Sequence, residues 1–179
     1  MYIWIGCKLP EKFEKGLRAK CRPLGEELGL DMSGFSLPQH ISLKISFEAG
    51  GNYGEILEFL EEILRKEKKF SVNPLAVEKN GNILWLSFRE NGTLRHLHNL
   101  LDKELKCRFA IPQHLFDQAF AFHSTLFVGE PEKLAIAHAS LADFLLPQEL
   151  LIDTFLLGLS ESGKSGTYRV VRTIRMQVR

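Results

Sequence analysis

Cysteine, net charge and long apolar runs are all scarce in this sequence. The three cysteines, Cys7, Cys21 and Cys107, are odd in number and far apart, with no C-x-x-C pair among them. That rules out a disulfide-stapled scaffold and a thiolate zinc site, and fits free thiols in a reducing cytoplasm, where the protein is expected. The opening MYIWIGCKLPEKFEK holds an apolar run too short for a signal peptide or a membrane span, and no later run reaches that length. No membrane partner is therefore expected. Formal net charge is +1. Such a chain has no field to hold long duplex nucleic acid, which is bound through many lysine and arginine contacts to phosphate. A nucleotide or a short RNA end remains within its means. No Pro/Gly/Ser linker or low-complexity tract divides the 179 residues, so a single domain over 1–179, a monomer, is expected.

What the chain does contain is a repeated order of elements. MYIWIGCKL alternates as a strand does, and residues 10–30 carry Phe13, Leu17, Cys21, Leu24 and Leu28 at helical spacing, with Pro23 expected to kink or split the helix. HISLKISF (40–47) reads as a strand, 53–69 as an amphipathic helix, and 70–79 as a strand that Pro74 consigns to an edge or a bulge. The series then restarts: strand 82–89, helix 92–106, strand 122–128, helix 131–146, strand 150–159, and a last strand over 167–178. The expected fold is α+β and bilobal. Two pseudo-twofold, duplicated β-α-β-α-β units (about 1–80 and 81–179) supply two mainly antiparallel sheets flanking a central cleft, with helices outside and room for strands to be exchanged between lobes.

The most conspicuous motif is GLSESGKS (158–165), which satisfies the phosphate-cradling pattern G-x-x-x-x-G-K-[ST]. A working loop of that kind opens a helix whose N-terminus faces the phosphates. Only fourteen residues follow Ser165, and TYRVVRTIRMQV alternates with period two. The stretch is therefore read as a strand end and a hairpin loop, with Gly163 and Gly166 supplying the turn and Lys164 in solvent.

Two histidines carry more. His40 in PQHISLKI and His123 in FHSTLFV each begin the strand after the first helix of their half, and each is followed two residues later by a hydroxyl, Ser42 or Thr125. Positions i and i+2 of a strand share a face, so His40, Ser42, Lys44 and Ser46 are expected on one polar face and His123 with Thr125 on another. Two such faces meeting across a cleft suit phosphoester chemistry. One neutral imidazole takes a proton, the other, protonated, gives one to the leaving oxygen, and the hydroxyls bind phosphoryl oxygens. No metal or cofactor is called for. A third H-x-S, His138–Ser140, falls on a helix, where His138 is expected on the apolar stripe of Leu134, Leu141 and Leu145.

HISL (40–43) and HSTL (123–126), one in each half of a chain of this length, resemble the paired motifs of the two-histidine (2H) phosphoesterase superfamily. That superfamily includes the 2′-5′ RNA ligase-like proteins and cyclic nucleotide phosphodiesterases. The resemblance implies His40 and His123 as acid and base, and Ser42 and Thr125 as phosphate ligands. It also implies a metal-independent phosphodiesterase that opens 2′,3′-cyclic phosphates or cleaves 2′-5′ linkages. RNA-end sealing in reverse and a non-catalytic nucleotide-binding module of the same fold are the alternatives.

Secondary candidates surround these four. Trp4 and Trp85, 36 and 38 residues before the histidines, are candidates to stack on a nucleobase, the alternative being packing between lobes. Lys44, and Arg169 and Arg175 on the polar face of the last strand (with Thr173, Gln177 and Arg179), are candidate phosphate contacts, and Tyr168 is a weaker one. Arg172 falls on the apolar face of that strand and needs a partner or an edge. His96 and His98 do not share a helical face, so no metal site is expected of them.

Overall fold

The computed structural model describes residues 1–178, so Arg179 of the last strand's polar row lies outside the described residues. The element order is that of the expectation. The strands are β1 (Tyr2–Lys8), β2 (His40–Glu48), β3 (Phe70–Val72), β4 (Pro74–Asn80), β5 (Ile83–Phe88), β6 (His123–Val128), β7 (Leu150–Ile152), β8 (Thr154–Ser160) and β9 (Arg169–Arg175). Between them lie α1 (Glu11–Leu28), α2 (Tyr53–Leu64), α3 (Gly92–Phe109) and α4 (Pro131–Ser140), with 3₁₀ turns at Ser33–Phe35, Gly50–Asn52 and Leu115–Asp117.

Three antiparallel sheets result instead of two. The largest runs β2-β1-β8-β9, the second runs β4-β5-β6, and β3 pairs with β7. The third strand of each half leaves its own sheet. β4 joins β5 and β6, while β8 joins β1 and β2. Asn73 and Asp153 interrupt what alternation alone reads as single strands over 70–79 and 150–159, and the short β3–β7 pair lies between the two larger sheets in the chain. Pro74 begins β4, an edge strand with a register shift beside it, as its missing N–H requires.

Helices cross over as the strands do. α1, though it follows β1, packs against α4 and reaches β6, where Gly25 lies under Phe127. α3 follows β5 but lies against β2. Each large sheet thus buries one face. Ile3, Ile5, Cys7, Ile41, Leu43, Phe155 and Leu157 do so on the first sheet, and Leu84, Leu86, Leu126 and Phe127 on the second. A fully buried side chain of this kind contributes about 1.5–3 kcal/mol.

Three boundaries differ from the sequence reading. α1 passes Pro23 unbroken, because Leu17, Cys21 and Gly25 stay buried along one face. α2 stops at Leu64, not residue 69. RKEKK offers no apolar stripe, and the backbones of Glu67 and Lys69 bond instead to Gln177. α4 ends at Ser140, since Leu141, Ala142 and Phe144 close i→i−3 bonds. His138 is accordingly not a core residue: it is exposed and bonds through Nε2 to the Val77 carbonyl at 3.0 Å, while Leu145 is 91% exposed.

GLSESGKS is the β8–β9 hairpin. Gly163 and Gly166 have φ of 70° and 78°, which side chains with a Cβ rarely adopt, and the Ser160 hydroxyl accepts from the Ser162 and Gly163 N–H groups. No helix follows, so the stretch cannot cradle a triphosphate. All three cysteines are free, and burial pushes the Cys21 thiol up to about 12.

Candidate active site

His40 and His123 occupy matching backbone positions. Each opens its strand, and each ring turns Nδ1 onto the carbonyl two residues upstream: Pro38 at 2.7 Å for His40, Ala121 at 2.8 Å for His123. A carbonyl only accepts, so each Nδ1 carries the hydrogen and each Nε2 is left with its lone pair for proton transfer. Both rings are half-buried. The strands that carry them touch, and the Gln39 amide oxygen accepts from the buried Ser124 hydroxyl at 2.8 Å. That bond ties the residue before one histidine to the residue after the other.

Burial lowers the His40 pKa to about 4, partly offset by the Pro38 bond and reinforced by the charge of His123. Burial also holds His123 below the usual imidazole range, against the Ala121 bond.

An indole backs each histidine, by two different routes. Trp85 lies directly opposite Thr125 in the β5–β6 ladder and packs on His123 with the rings tilted by 31° and centroids 4.1 Å apart. Trp4 sits further along its own strand, since the residue opposite Ser42 is Gly6. It reaches His40, also at 4.1 Å, by lying over Gly6 and Gly158. A Cβ on Gly6 would fall 2.4 Å from the Trp4 ring and 3.2 Å from His40, so glycine is required there. Trp4 is buried and donates Nε1–H to the Ser42 hydroxyl at 3.1 Å, leaving that hydroxyl its own proton to give. Its ring is a support for His40 and Ser42, not an open stacking surface, whereas Trp85 is only half-buried. The Thr125 hydroxyl has no protein partner among the described residues.

Lys44 is a correction. Two register shifts interrupt the β1–β2 ladder, and the first pairs Lys44 with Ile5, turning it from the His40 face to the buried face. There it is 2% exposed, paired with Asp102 and with Asp117 Oδ2 at 2.7 Å. Burial opposes the charge on Asp117, but Lys44 and the N–H groups of Ile45 and His114 outweigh it and hold the carboxyl below its usual range. His98, also buried, bonds the carbonyls of Leu43 at 2.8 Å and Asp117 at 3.0 Å, and so clamps the same bulge. His96 is exposed and apart from it, and among the described residues no group of three histidine, cysteine or carboxylate side chains is arranged to hold a metal.

Of the remaining candidates the two arginines stand further off, while the Tyr168 phenol comes within hydrogen-bond reach of Ser46 on β2. β9 is separated from β2 by β1 and β8, three strand spacings or about 14 Å. Arg175 is exposed and lies 3.8 Å from Asp153, Arg169 is exposed opposite Leu159, and Arg172 resolves its misplacement by pairing with Glu61 of α2 at 3.3 Å. Tyr168 donates to the Gly163 carbonyl at 3.3 Å within the hairpin, and burial raises its phenol pKa. A cavity of about 870 Å³ between the start of α1 and residues 144–151 takes in Arg175 but neither histidine.

Gln39, Ser124 and Gly6 escape a reading by motif. Their signal in the sequence is a polar or minimal side chain where alternation calls for an ordinary one.

No family model matches the sequence. A putative phosphoesterase of Geobacillus thermodenitrificans is 30% identical over 111 residues, covering 59% of this chain and 51% of the relative, so the match spans about half the relative's length. Among solved structures, Escherichia coli LigT complexed with 3′-AMP superposes with a TM-score of 0.63 at 17% identity, covering 98% of this chain and 97% of that one. A Thermus thermophilus protein superposes with a TM-score of 0.64 at 20% identity over the same shares of the two chains. LigT has also been crystallised with phosphate, ATP and NADP+. The chain has the LigT-like α+β fold, in agreement with the resemblance of its HISL and HSTL strands to the two-histidine phosphoesterases.

Proposed function

We propose that this protein is a metal-independent phosphodiesterase of the two-histidine superfamily, acting on a 2′,3′-cyclic phosphate or a 2′-5′ linkage at a nucleotide or short RNA end. The observation that carries the reading is the matched pair of imidazoles. Both hold Nδ1–H on a carbonyl, both free Nε2, and both sit two residues before a hydroxyl on touching strands. The phosphoesterase relative and the nucleotide and phosphate complexes of LigT support the same chemistry.

His40 is the more strongly neutralised of the two, so it is assigned as the base that takes a proton from the attacking water. His123, protonated, donates to the departing ribose oxygen. Ser42 and Thr125 give their hydroxyl protons to the non-bridging oxygens as charge builds on them. Losing one such donor costs about 2.7–4 kcal/mol of transition-state stabilisation.

The test is hydrolysis of nucleoside 2′,3′-cyclic phosphates in the presence of EDTA by the native protein, His40→Ala and His123→Ala. Each substitution is expected to lower kcat/KM by roughly 10²–10⁴-fold. Variants as active as the native protein, or a native protein that turns over no cyclic phosphate, would overturn the assignment.

A further inference from the structure

The face that carries His123 and Thr125 also carries a carboxylate. Trp85 is opposite Thr125 in one ladder and opposite Glu78 in the next, so Thr125, Trp85 and Glu78 form one cross-strand row on the same side of the sheet. Neither phosphate nor cation accounts for Glu78. A phosphate is repelled by a carboxylate, and among the described residues no lysine or arginine pairs with it.

Glu78 is also under-used. It accepts from the Ser87 hydroxyl at 3.0 Å, but that single proton is shared with the Ala76 carbonyl at the same distance. Its other oxygen faces Trp85 Nε1 at 3.5 Å, the long limit of a hydrogen bond. A carboxylate offers about four acceptor sites. Here two are weakly taken, and the residue is half-buried, so a ligand bringing donors would meet a partly prepared acceptor.

We infer that Glu78 reads the base of the substrate, and that it selects guanine. The inference rests on the proposed phosphodiesterase site for the position of the phosphate. With the phosphoryl group at Thr125, Glu78 lies two strand spacings, about 10 Å, along the row. A nucleotide laid along the row passes the half-buried Trp85 and ends at the carboxylate. Of the four common bases only guanine presents two adjacent N–H donors, N1–H and N2–H, matching the two oxygens of a carboxylate. Adenine and cytosine each pair one amino group with an acceptor nitrogen, and uracil flanks its single N–H with two carbonyls, which a carboxylate repels. The other half of the molecule has no equivalent, since Trp4 lies opposite Gly158.

The experiment measures kcat/KM for guanosine, inosine, adenosine, cytidine and uridine 2′,3′-cyclic phosphates with the native protein and Glu78→Gln. Binding of guanosine 3′-monophosphate and uridine 3′-monophosphate is followed in parallel by tryptophan fluorescence, and circular dichroism confirms that the variant folds. The native protein is expected to prefer guanosine over uridine by about 10–100-fold, as one bidentate base contact provides, with inosine in between. In Glu78→Gln the guanosine-to-uridine ratio should collapse toward unity. Equal turnover of all bases, or a guanosine preference that survives Glu78→Gln, overturns the inference while the phosphodiesterase reading stands. Glu78-dependent binding of guanosine 3′-monophosphate without hydrolysis of any substrate retains the inference and overturns the hydrolytic function. Neither binding nor hydrolysis overturns both.

Discussion

The two motif strands are alike at the histidine, at the hydroxyl and in the register shift that follows, and unlike in the residues that support them. β2 and β6 both begin with a histidine whose Nδ1 rests on a carbonyl two residues back, and both place a hydroxyl at the third position. Beyond that point both strands bulge, but β6 buries the apolar Leu126 and Phe127 there, while β2 buries Leu43 and a lysine paired with two aspartates. The indole behind His40 crosses two glycines to reach it, whereas the one behind His123 stands directly opposite Thr125. Matched histidine–hydroxyl pairs can therefore be held by unmatched supports. The proposed chemistry demands equivalence of Nε2 and hydroxyl positions only, and leaves the surroundings free to diverge.

Lys44 offers the sharpest way to break that comparison. Lys44→Ala leaves Asp102 and Asp117 buried without their cation, and should lower unfolding free energy by about 3–5 kcal/mol, measured by urea denaturation. If the loss is under about 1 kcal/mol, the buried ion pairs do not anchor the bulge, and β2 is no more specialised than β6.

A smaller effect is expected at Gly6. Gly6→Ala drives a Cβ into the Trp4 ring and against His40, costing about 1–3 kcal/mol of stability through overpacking. Because the displaced ring supports His40 and Ser42, kcat should fall as well. A variant as stable and as active as the native protein would show that the Trp4 route is dispensable.

The pH dependence separates the two histidines most finely. If His40 must be neutral and His123 charged, kcat/KM should be bell-shaped, with its optimum between about 4 and the ordinary imidazole value of about 6.5. His40 also bears on stability. Its folded pKa lies below the unfolded one, so between these values the unfolded chain binds more protons. Stability is then full above about 6.5 and declines as pH falls toward about 4. Allowing for the ring's partial exposure, the loss is on the order of 1–2 kcal/mol. His40→Gln should flatten that slope, and a slope unchanged by the substitution would mean the ring is not neutralised by burial.

Much of the fold was legible because it depends on local periodicity. Alternation located the large strands, and helical spacing located the four helices. The period-two alternation of TYRVVRTIRMQV after Ser165 was enough to reject GLSESGKS as a phosphate loop. Lys44 and Pro23 show where such reading stops. Alternation assumes an unbroken register, and one extra residue in β2 turns Lys44 inward before a second shift restores the register at Phe47. Proline propensity is a local cost that a well-packed helix face overrides.

By itself the sequence determined the element order, the two histidine–hydroxyl pairs and their place at strand starts, because each follows from residues a few positions apart. The tertiary structure decided what each of these meets. It exchanged β4 and β8 between sheets, turned Lys44 inward, laid Trp4 over Gly6 and Gly158, joined Gln39 to Ser124, and set Glu78 in line with Trp85 and Thr125. All of these are contacts between residues distant in the chain. They arise from register and packing, quantities that no local pattern encodes.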